Sequence, residues 1–215
     1  MMSEPMPDEK ETEVILALDV DSLERAESIL ATTGNDLRWV KIGLQTYLRD
    51  GPDFVRRVAE GGRKVFLDLK LHDIPNTMAK ALESLADLPV SMLTLHASAG
   101  VEALRRCTET ATERLPEVRL LAVTVLTSID EATLRDFGDE RSVEEQVGHL
   151  AVMATEAGVG GIVCSPREIR PLRRILPPAT VLVVPGIRPT GTDKGDQKRV
   201  MTPVEAAEAG ADYLV

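Results

Sequence analysis

The chain has 215 residues, of which 43% are hydrophobic and 28% are charged, so it can bury a sizeable core and lies outside the intrinsically disordered class. Its formal net charge of -10 argues against broad binding to nucleic acid or to an anionic membrane, because such binding needs clustered Lys and Arg. No apolar run approaches the roughly 20 residues that span a bilayer, and the first residues resemble no signal peptide. The sequence therefore predicts a cytoplasmic protein that binds neither nucleic acid nor membrane.

Short apolar runs alternate with longer amphipathic stretches after residues 1–12, which we expect to form a disordered tail. Eight runs have the length of buried strands: residues 14–18, 39–42, 65–69, 92–95, 120–126, 161–164, 181–184 and 213–215. Helical spacing occurs between them, over residues 23–30, 54–59, 78–85, 101–114, 143–157, 169–176 and 204–209. This alternation predicts a parallel sheet covered by helices. No linker divides residues 13–215, so we expect one α/β domain.

Two architectures fit this alternation, a closed (β/α)8 TIM barrel and an open doubly wound sheet. The eight units and the absence of a GxGxxG turn after the first strand favour the barrel. In a barrel the carboxyl ends of all strands meet on one rim. Nearly every predicted strand ends in a group able to do chemistry: Asp19, Lys41, Asp68 with Lys70, His96, Thr127 with Ser128, Ser165, and Pro185 with Gly186. The sequence therefore predicts an active site at this rim.

Residues 66–77 are the most informative segment, because they carry three charges where an apolar strand ends. Asp68 and Lys70 lie two residues apart, so strand periodicity points both to one face, and Asp73 follows just past the strand. Burying such ions is costly unless they pair or take part in chemistry. A purely structural ion pair is the alternative to a catalytic array.

The same periodicity applies to the first two strands. It places Asp19 and Lys41 on the interior side of the barrel with Asp68 and Lys70. The opposite side, which faces the helices, has Leu16, Leu18, Val40, Ile42, Leu67 and Leu69. Lys41 lies inside an apolar strand, so its charge needs an ion-pair partner or a functional role. Asp19 could instead cap the helix that begins near residue 23.

A long segment rich in Gly, Pro and charge, residues 183–199, includes the end of the seventh predicted strand. Its loop is too long for a routine βα turn and suggests a lid or binding loop, with a solvated loop as the alternative. Loops after strands seven and eight of a barrel commonly bind phosphate. Arg188 and Gln197 supply a cation and an amide donor there. His72 and His96 lack acidic neighbours at ligand spacing, so we expect no metal site.

Six motifs in chain order resemble those of the orotidine 5'-phosphate decarboxylase family, and the likeness runs from Val14 to the last residue. They are Leu-Ala-Leu-Asp at 16–19, Val-Lys-Ile-Gly at 40–43, Asp-Leu-Lys-Leu-His-Asp-Ile-Pro-Asn-Thr at 68–77, Leu-His-Ala-Ser at 95–98, Val-Thr-Val-Leu-Thr-Ser at 123–128 and Pro-Gly-Ile-Arg-Pro at 185–189. Magnesium-dependent sugar-phosphate decarboxylases and synthases of the same superfamily share the Asp-x-Lys-x-x-Asp array. They typically continue with a small residue where this chain has Ile74.

The resemblance implies decarboxylation of orotidine 5'-monophosphate to uridine 5'-monophosphate and CO2 in de novo pyrimidine biosynthesis, without metal or cofactor. It implies a catalytic array of Lys41, Asp68, Lys70 and Asp73. It also implies a homodimer in which Asp73 and Thr77 reach the neighbouring subunit's site. Substrate contacts would come from Asp19 to the ribose, Ser128 to the pyrimidine, Pro185 near the departing carboxylate, and Arg188 and Gln197 in the phosphate loop.

The family normally continues past the eighth strand with a phosphate-binding Gly-Arg turn and a last helix, whereas this sequence ends at Tyr213-Leu214-Val215. If the sequence is the whole protein, we expect a barrel without its last helix, in which phosphate binding depends on Gln197, Arg188 and backbone amides. A weakly active or inactive protein and a piece of a longer chain are the two explanations of this ending. Two alternatives to an orotidylate decarboxylase stay open at this point. One is a magnesium-dependent sugar-phosphate decarboxylase, and the other is a non-catalytic phosphate-binding barrel.

Overall fold

The computed structural model describes residues 11–34, 36–188 and 201–215, which form a closed barrel of eight parallel strands. The strands are β1 (Glu13–Ala17), β2 (Trp39–Gly43), β3 (Lys64–Leu71), β4 (Met92–His96), β5 (Arg119–Val123), β6 (Gly161–Val163), β7 (Val181–Val184) and β8 (Tyr213–Leu214). Each strand pairs with the next, and β8 closes the barrel against β1. The predicted (β/α)8 TIM barrel is confirmed.

Within the described ranges, the strands are connected by eight α-helices: α1 (Leu23–Thr33), α2 (Leu44–Glu60), α3 (Pro75–Glu83), α4 (Val101–Arg114), α5 (Glu131–Asp136), α6 (Val143–Glu156), α7 (Ile169–Ile175) and α8 (Pro203–Ala209). Short 3-10 helices cover Ala97–Ala99 and Pro166–Glu168. Side-chain caps fix several starts, since Ser22, Ser142 and Thr202 each accept a backbone N–H in the first turn of α1, α6 and α8.

Several elements differ from the sequence prediction, among them α2, α5 and β5. Helix α2 begins at Leu44, not at residue 54, because a kink at Gly51 and Pro52 interrupts its apolar period. Helix α5 is not predicted by apolar spacing, since its six residues are too few to show a helical period. Strand β5 ends at Val123, three residues before its predicted end.

The alternation of side chains along the strands creates two apolar layers. Inside the barrel, one cluster contains Ile15, Trp39, Phe66, Met92, Leu121, Val181 and Val183. Leu18, Val40, Ile42 and Leu67 belong to the larger cluster between strands and helices, as predicted, with Leu16 and Leu69 packed against it. The inner cluster fills the barrel, so the charged strand ends lie above it at the carboxyl rim.

The predicted domain begins at Glu13, which is also the first residue of β1. The expected tail over residues 1–12 lies outside the described residues except for its last two positions, so this boundary stays a prediction. Among the helices that the structure describes, none has the length and apolar character needed to cross a membrane.

Candidate active site

A cavity of about 370 Å³ opens at the carboxyl rim of the barrel. One wall is charged and comes from the ends of β1, β2 and β3. The other wall comes from the ends of β5 to β7 and is mostly apolar, with contributions from Val123, Val125, Leu126, Val163, Val183 and Pro185. A ligand with charged groups on one side and a flat apolar face on the other suits such a cavity.

The charged wall is a chain of ion pairs in which acid and base alternate. Lys41 Nζ donates to the Asp19 carboxylate and lies 3.5 Å from Asp68 Oδ2. Lys70 Nζ lies 2.7 Å from the same Asp68 oxygen. The middle of this chain is buried, whereas the side chains at its ends, Asp19 and Lys70, are 40% and 37% exposed. A ligand in the cavity can therefore contact the exposed part of the Asp19 carboxylate and of the Lys70 ammonium group.

Asp68 is a fixed negative charge at the centre of this chain. Burial raises the pKa of its carboxyl group, but the ammonium groups of Lys41 and Lys70 and the hydrogen bonds from Lys70 and Thr94 outweigh burial. The resulting pKa lies below the ordinary value of an aspartate. Asp68 is therefore ionised at neutral pH although only a small part of it reaches solvent.

Lys70 has an unusual backbone. Its φ is 51°, the one positive φ of a residue other than glycine among those described. The pairing of β3 with β4 also shifts register between Leu67 and Leu71, so Lys70 lies in a bulge. A left-handed conformation costs a non-glycine residue about 1–3 kcal/mol and persists only where its surroundings impose it. Such bulges redirect side chains beside active sites, and here the redirected side chain is the Lys70 ammonium.

Asp73 and Thr77 lie apart from the cavity formed by their own barrel. Both are exposed, Asp73 in the turn after β3 and Thr77 in the first turn of α3. The Asp73 carboxylate accepts the N–H of Ile74 at 2.7 Å. The predicted array of four charges is therefore divided within one chain: Lys41, Asp68 and Lys70 are together, and Asp73 is outside.

The remaining predicted residues divide in the same way. Pro185 and Arg188 line the cavity. The backbone of Arg188 is anchored there because its main-chain N–H donates to the Met201 carbonyl at 3.0 Å. Ser128 is exposed in the turn after β5, while its neighbour Thr127 lines the cavity. Gln197 lies outside the described residues.

Two residues near the ion chain were missed by sequence reasoning. Thr94 is fully buried in β4 and hydrogen-bonds both Lys70 and Asp68. Its position between Met92 and His96, on the inward side of the strand, was the available signal. Gly43 lies directly beneath the first ion pair: a Cβ there would overlap the Asp19 carboxylate and lie 3.2 Å from Lys41 Nζ.

Other reactive groups near the rim are held in neutral forms. Burial raises the pKa of the Cys164 thiol well above its ordinary value, so this cysteine is not a thiolate nucleophile at neutral pH. Burial, together with the charges of His72 and Lys70, lowers the pKa of His96. Over the described ranges, no group of three or more His, Cys, Asp or Glu side chains has the arrangement of a metal site.

These features define a class of protein: a TIM-barrel enzyme whose site, at the carboxyl ends of the strands, is built from buried, alternating ion pairs. A family model described as "Orotidine 5'-phosphate decarboxylase / HUMPS family" matches residues 12–215. The chain therefore belongs to the orotidine 5'-phosphate decarboxylase / HUMPS family, and the resemblance seen in the sequence is confirmed.

Individual relatives agree with this assignment. The chain is 50% identical over 203 residues to an orotidine 5'-phosphate decarboxylase of Opitutus terrae, covering 94% of this chain and 88% of that protein. It is 47% identical to one from Moorella thermoacetica, covering 94% and 82%. The crystal structure of orotidine 5'-phosphate decarboxylase from Lactobacillus acidophilus matches with a TM-score of 0.84 at 34% identity, covering 95% of this chain and 89% of that chain.

Proposed function

We propose that this protein decarboxylates orotidine 5'-monophosphate to uridine 5'-monophosphate and CO2, a step of pyrimidine biosynthesis. Family membership and the names of the relatives support the proposal. The observation that carries it is the Lys70 ammonium, held 2.7 Å from the ionised Asp68 at the edge of a cavity with an opposing apolar wall. In this proposal a pyrimidine ring lies between the two walls, with its reacting edge toward the ions.

Lys70 would act on the charge that forms during the reaction. When the bond from C6 to the carboxylate breaks, its electron pair stays in an sp2 orbital of C6, where the ring cannot delocalise it. An ammonium about 4 Å away stabilises that charge by roughly 4 kcal/mol at an effective dielectric of 20, a useful part of the 8–23 kcal/mol by which enzymes typically lower barriers. A proton from Lys70 Nζ then forms the new C6–H bond, and solvent returns a proton to the amine.

Asp68 would oppose the substrate more than the transition state. Its carboxylate lies beside Lys70, where the carboxylate of the bound substrate would also sit, so two negative charges meet in the ground state. This repulsion disappears as neutral CO2 leaves toward the apolar wall near Pro185. The depressed pKa of Asp68 supports this role, because a protonated acid would not repel the substrate.

The remaining predicted contacts place the substrate. Asp19, at the exposed end of the ion chain, would bind the ribose hydroxyls together with its neighbour Lys41. Ser128, in the same turn as the cavity residue Thr127, would bind the pyrimidine. Arg188 would meet the phosphate, together with Gln197. Because the phosphate is remote from the breaking bond, its binding energy can be used to align the ring.

We also propose a homodimer in which Asp73 and Thr77 enter the partner's cavity, where Asp73 completes a Lys-Asp-Lys-Asp array. Both residues are exposed and lie outside the cavity of their own barrel, as this proposal requires. Large apolar side chains are exposed at the starts of the helices that follow β2, β3 and β4 and would be covered by a second copy: Leu44, Leu48, Ile74 and Val101. The cytoplasmic location expected from the sequence stays a prediction.

Lys70→Ala tests the catalytic assignment. Loss of the ammonium should lower kcat by at least about 1,000-fold, since roughly 4 kcal/mol of stabilisation is removed together with the proton donor. Turnover is followed by the ultraviolet change of the pyrimidine. Lys64→Ala, at the opposite end of β3, is the matched control and should keep wild-type turnover. Near-normal turnover of Lys70→Ala would refute the role of Lys70.

A turnover assay with and without a chelator distinguishes this activity from a magnesium-dependent sugar-phosphate decarboxylase and from a non-catalytic phosphate-binding barrel. We expect turnover of orotidine 5'-monophosphate that is unchanged after incubation with a chelator, because the proposed reaction uses side-chain charges alone. Turnover of a sugar phosphate that a chelator abolishes would instead identify a magnesium-dependent decarboxylase. Binding of the nucleotide without turnover would identify a phosphate-binding barrel and overturn the proposal.

A further inference from the structure

Thr94 connects two members of the ion chain through a single hydroxyl group. Its Oγ1 accepts the backbone N–H of Lys70 at 2.9 Å. The same hydroxyl donates to Asp68 Oδ1 at 2.9 Å, on the carboxylate oxygen that does not face Lys70 Nζ. Thr94 is fully buried, so both bonds form away from solvent. One atom thereby sets the distance between the backbone of Lys70 and the carboxylate of Asp68.

The bulge explains why this hydroxyl is needed. Between the pairs Leu67 with Leu93 and Leu71 with Leu95, four steps along β3 correspond to two along β4. Residues in a bulge lose their regular ladder partners, and a buried N–H without a partner is costly. The Thr94 hydroxyl accepts the N–H of Lys70 in place of a strand carbonyl. This bond supports the left-handed backbone that directs Lys70 toward the cavity.

We propose that Thr94 is a positioning residue for the decarboxylation: its hydroxyl holds the Lys70 bulge and the Asp68 carboxylate in a single reactive geometry. This inference rests on the proposed function. The hydroxyl that accepts the Lys70 N–H also donates to the Asp68 carboxylate, so the two groups are oriented together. The outer face of β4 is formed by Leu93 and Leu95, which pack among the helices and do not depend on the hydroxyl.

Thr94→Val and Thr94→Ser distinguish positioning from packing. Valine keeps the shape of the side chain but neither accepts nor donates, so we expect kcat to fall about 10- to 100-fold, the effect of losing a hydrogen bond to a charged group. KM for orotidine 5'-monophosphate should change by less than about threefold, because Thr94 does not line the cavity. Serine keeps the hydroxyl and should restore kcat to within about threefold of wild type.

Thr124→Val is the matched control. Thr124 is a buried threonine just after β5, and its hydroxyl lies 3.5 Å from the Val163 carbonyl, away from Lys70 and Asp68. It should keep wild-type kcat. A Thr94→Val enzyme with wild-type kcat would overturn the inference, as would a Thr94→Ser enzyme as slow as the valine variant. An equal loss in Thr124→Val would assign the effect to packing and overturn it as well.

Crystal structures separate failure of this inference from failure of the proposed function. If the wild-type protein does not turn over orotidine 5'-monophosphate, the proposed function fails, but the geometry can still be measured. In Thr94→Val we expect Lys70 to leave the left-handed region or Asp68 to rotate away from Lys70 Nζ. An unchanged ion chain in that variant would show that Thr94 does not position it.

Discussion

Asp68→Asn removes the negative charge between two lysines while keeping the shape of the side chain. At an effective dielectric of 20, a charge 2.7 Å from Lys70 Nζ and 3.5 Å from Lys41 Nζ contributes about 6 and 5 kcal/mol of attraction. Desolvation of the buried carboxylate offsets several kcal/mol of this sum, and the partial exposure of Lys70 weakens its pair further. The variant also leaves two ammonium groups facing each other.

We therefore expect Asp68→Asn to lower the free energy of unfolding by about 3 kcal/mol at pH 7. The pKa of Asp68 is lower in the folded than in the unfolded chain, so its contribution is complete above the unfolded value of about 3.9 and is lost as pH falls through the folded value. The difference between wild type and variant should be constant from pH 7 to about pH 5 and shrink below about pH 4.

Urea unfolding at a series of pH values measures this difference. Trp39 is the only tryptophan and is buried inside the barrel, so its fluorescence reports the core directly. Asp53→Asn is the matched control, because Asp53 is a highly exposed carboxylate paired with Arg56 and should contribute little. An Asp68→Asn protein as stable as wild type, or a difference that grows toward low pH, would refute the electrostatic reasoning.

Two further predictions concern the shared site and the ribose end of the ion chain. Mixing Lys70→Ala with Asp73→Ala chains should restore part of the activity that each lacks alone, because a mixed dimer contains one intact site; no recovery after mixing would contradict the shared-site dimer. Gly43→Ala should raise KM by about 10-fold, because its Cβ displaces the Asp19 carboxylate. Gly148→Ala, whose Cβ would meet only Ile175 at an ordinary 3.5 Å, should leave KM unchanged, and equal KM values in both variants would remove the role of Gly43.

The backbone around Asp19 explains why Gly43→Ala should affect binding more than folding. The N–H of Leu18 donates to the Lys41 carbonyl at 3.0 Å, and the Leu18 carbonyl accepts from the Thr46 hydroxyl at 2.8 Å. With both backbone groups of Leu18 held, the chain before Asp19 cannot retreat from an added methyl group. The flexible carboxylate moves instead, and the Asp19–Lys41 pair loses its geometry.

The local periodicity of the sequence was sufficient to predict the barrel and most of the charged wall of its cavity. Alternation along a strand decides which face each residue occupies, so Lys41 and Asp68 could be assigned to the interior without coordinates. Lys70 was assigned with them, but in the structure a bulge rather than regular alternation directs its side chain to the cavity. The carboxyl ends of parallel strands share one rim, so the cavity could be located as well. The start of α2 and the whole of α5 were missed because a kink interrupts the helical period of the first and six residues are too few to show one in the second.

Closure of the barrel decided the contacts between strands, which sequence patterns do not contain. The bulge at Lys70 depends on the register between β3 and β4, and the two bonds of Thr94 join residues 24 and 26 positions apart in the chain. The separation of Asp73 from its own cavity likewise depends on the path of the turn after β3. By itself, the sequence determined the fold class, the family resemblance and the residues that carry charge. Only the tertiary structure decided their distances and their shared hydroxyl, because contacts between distant strands depend on register and closure.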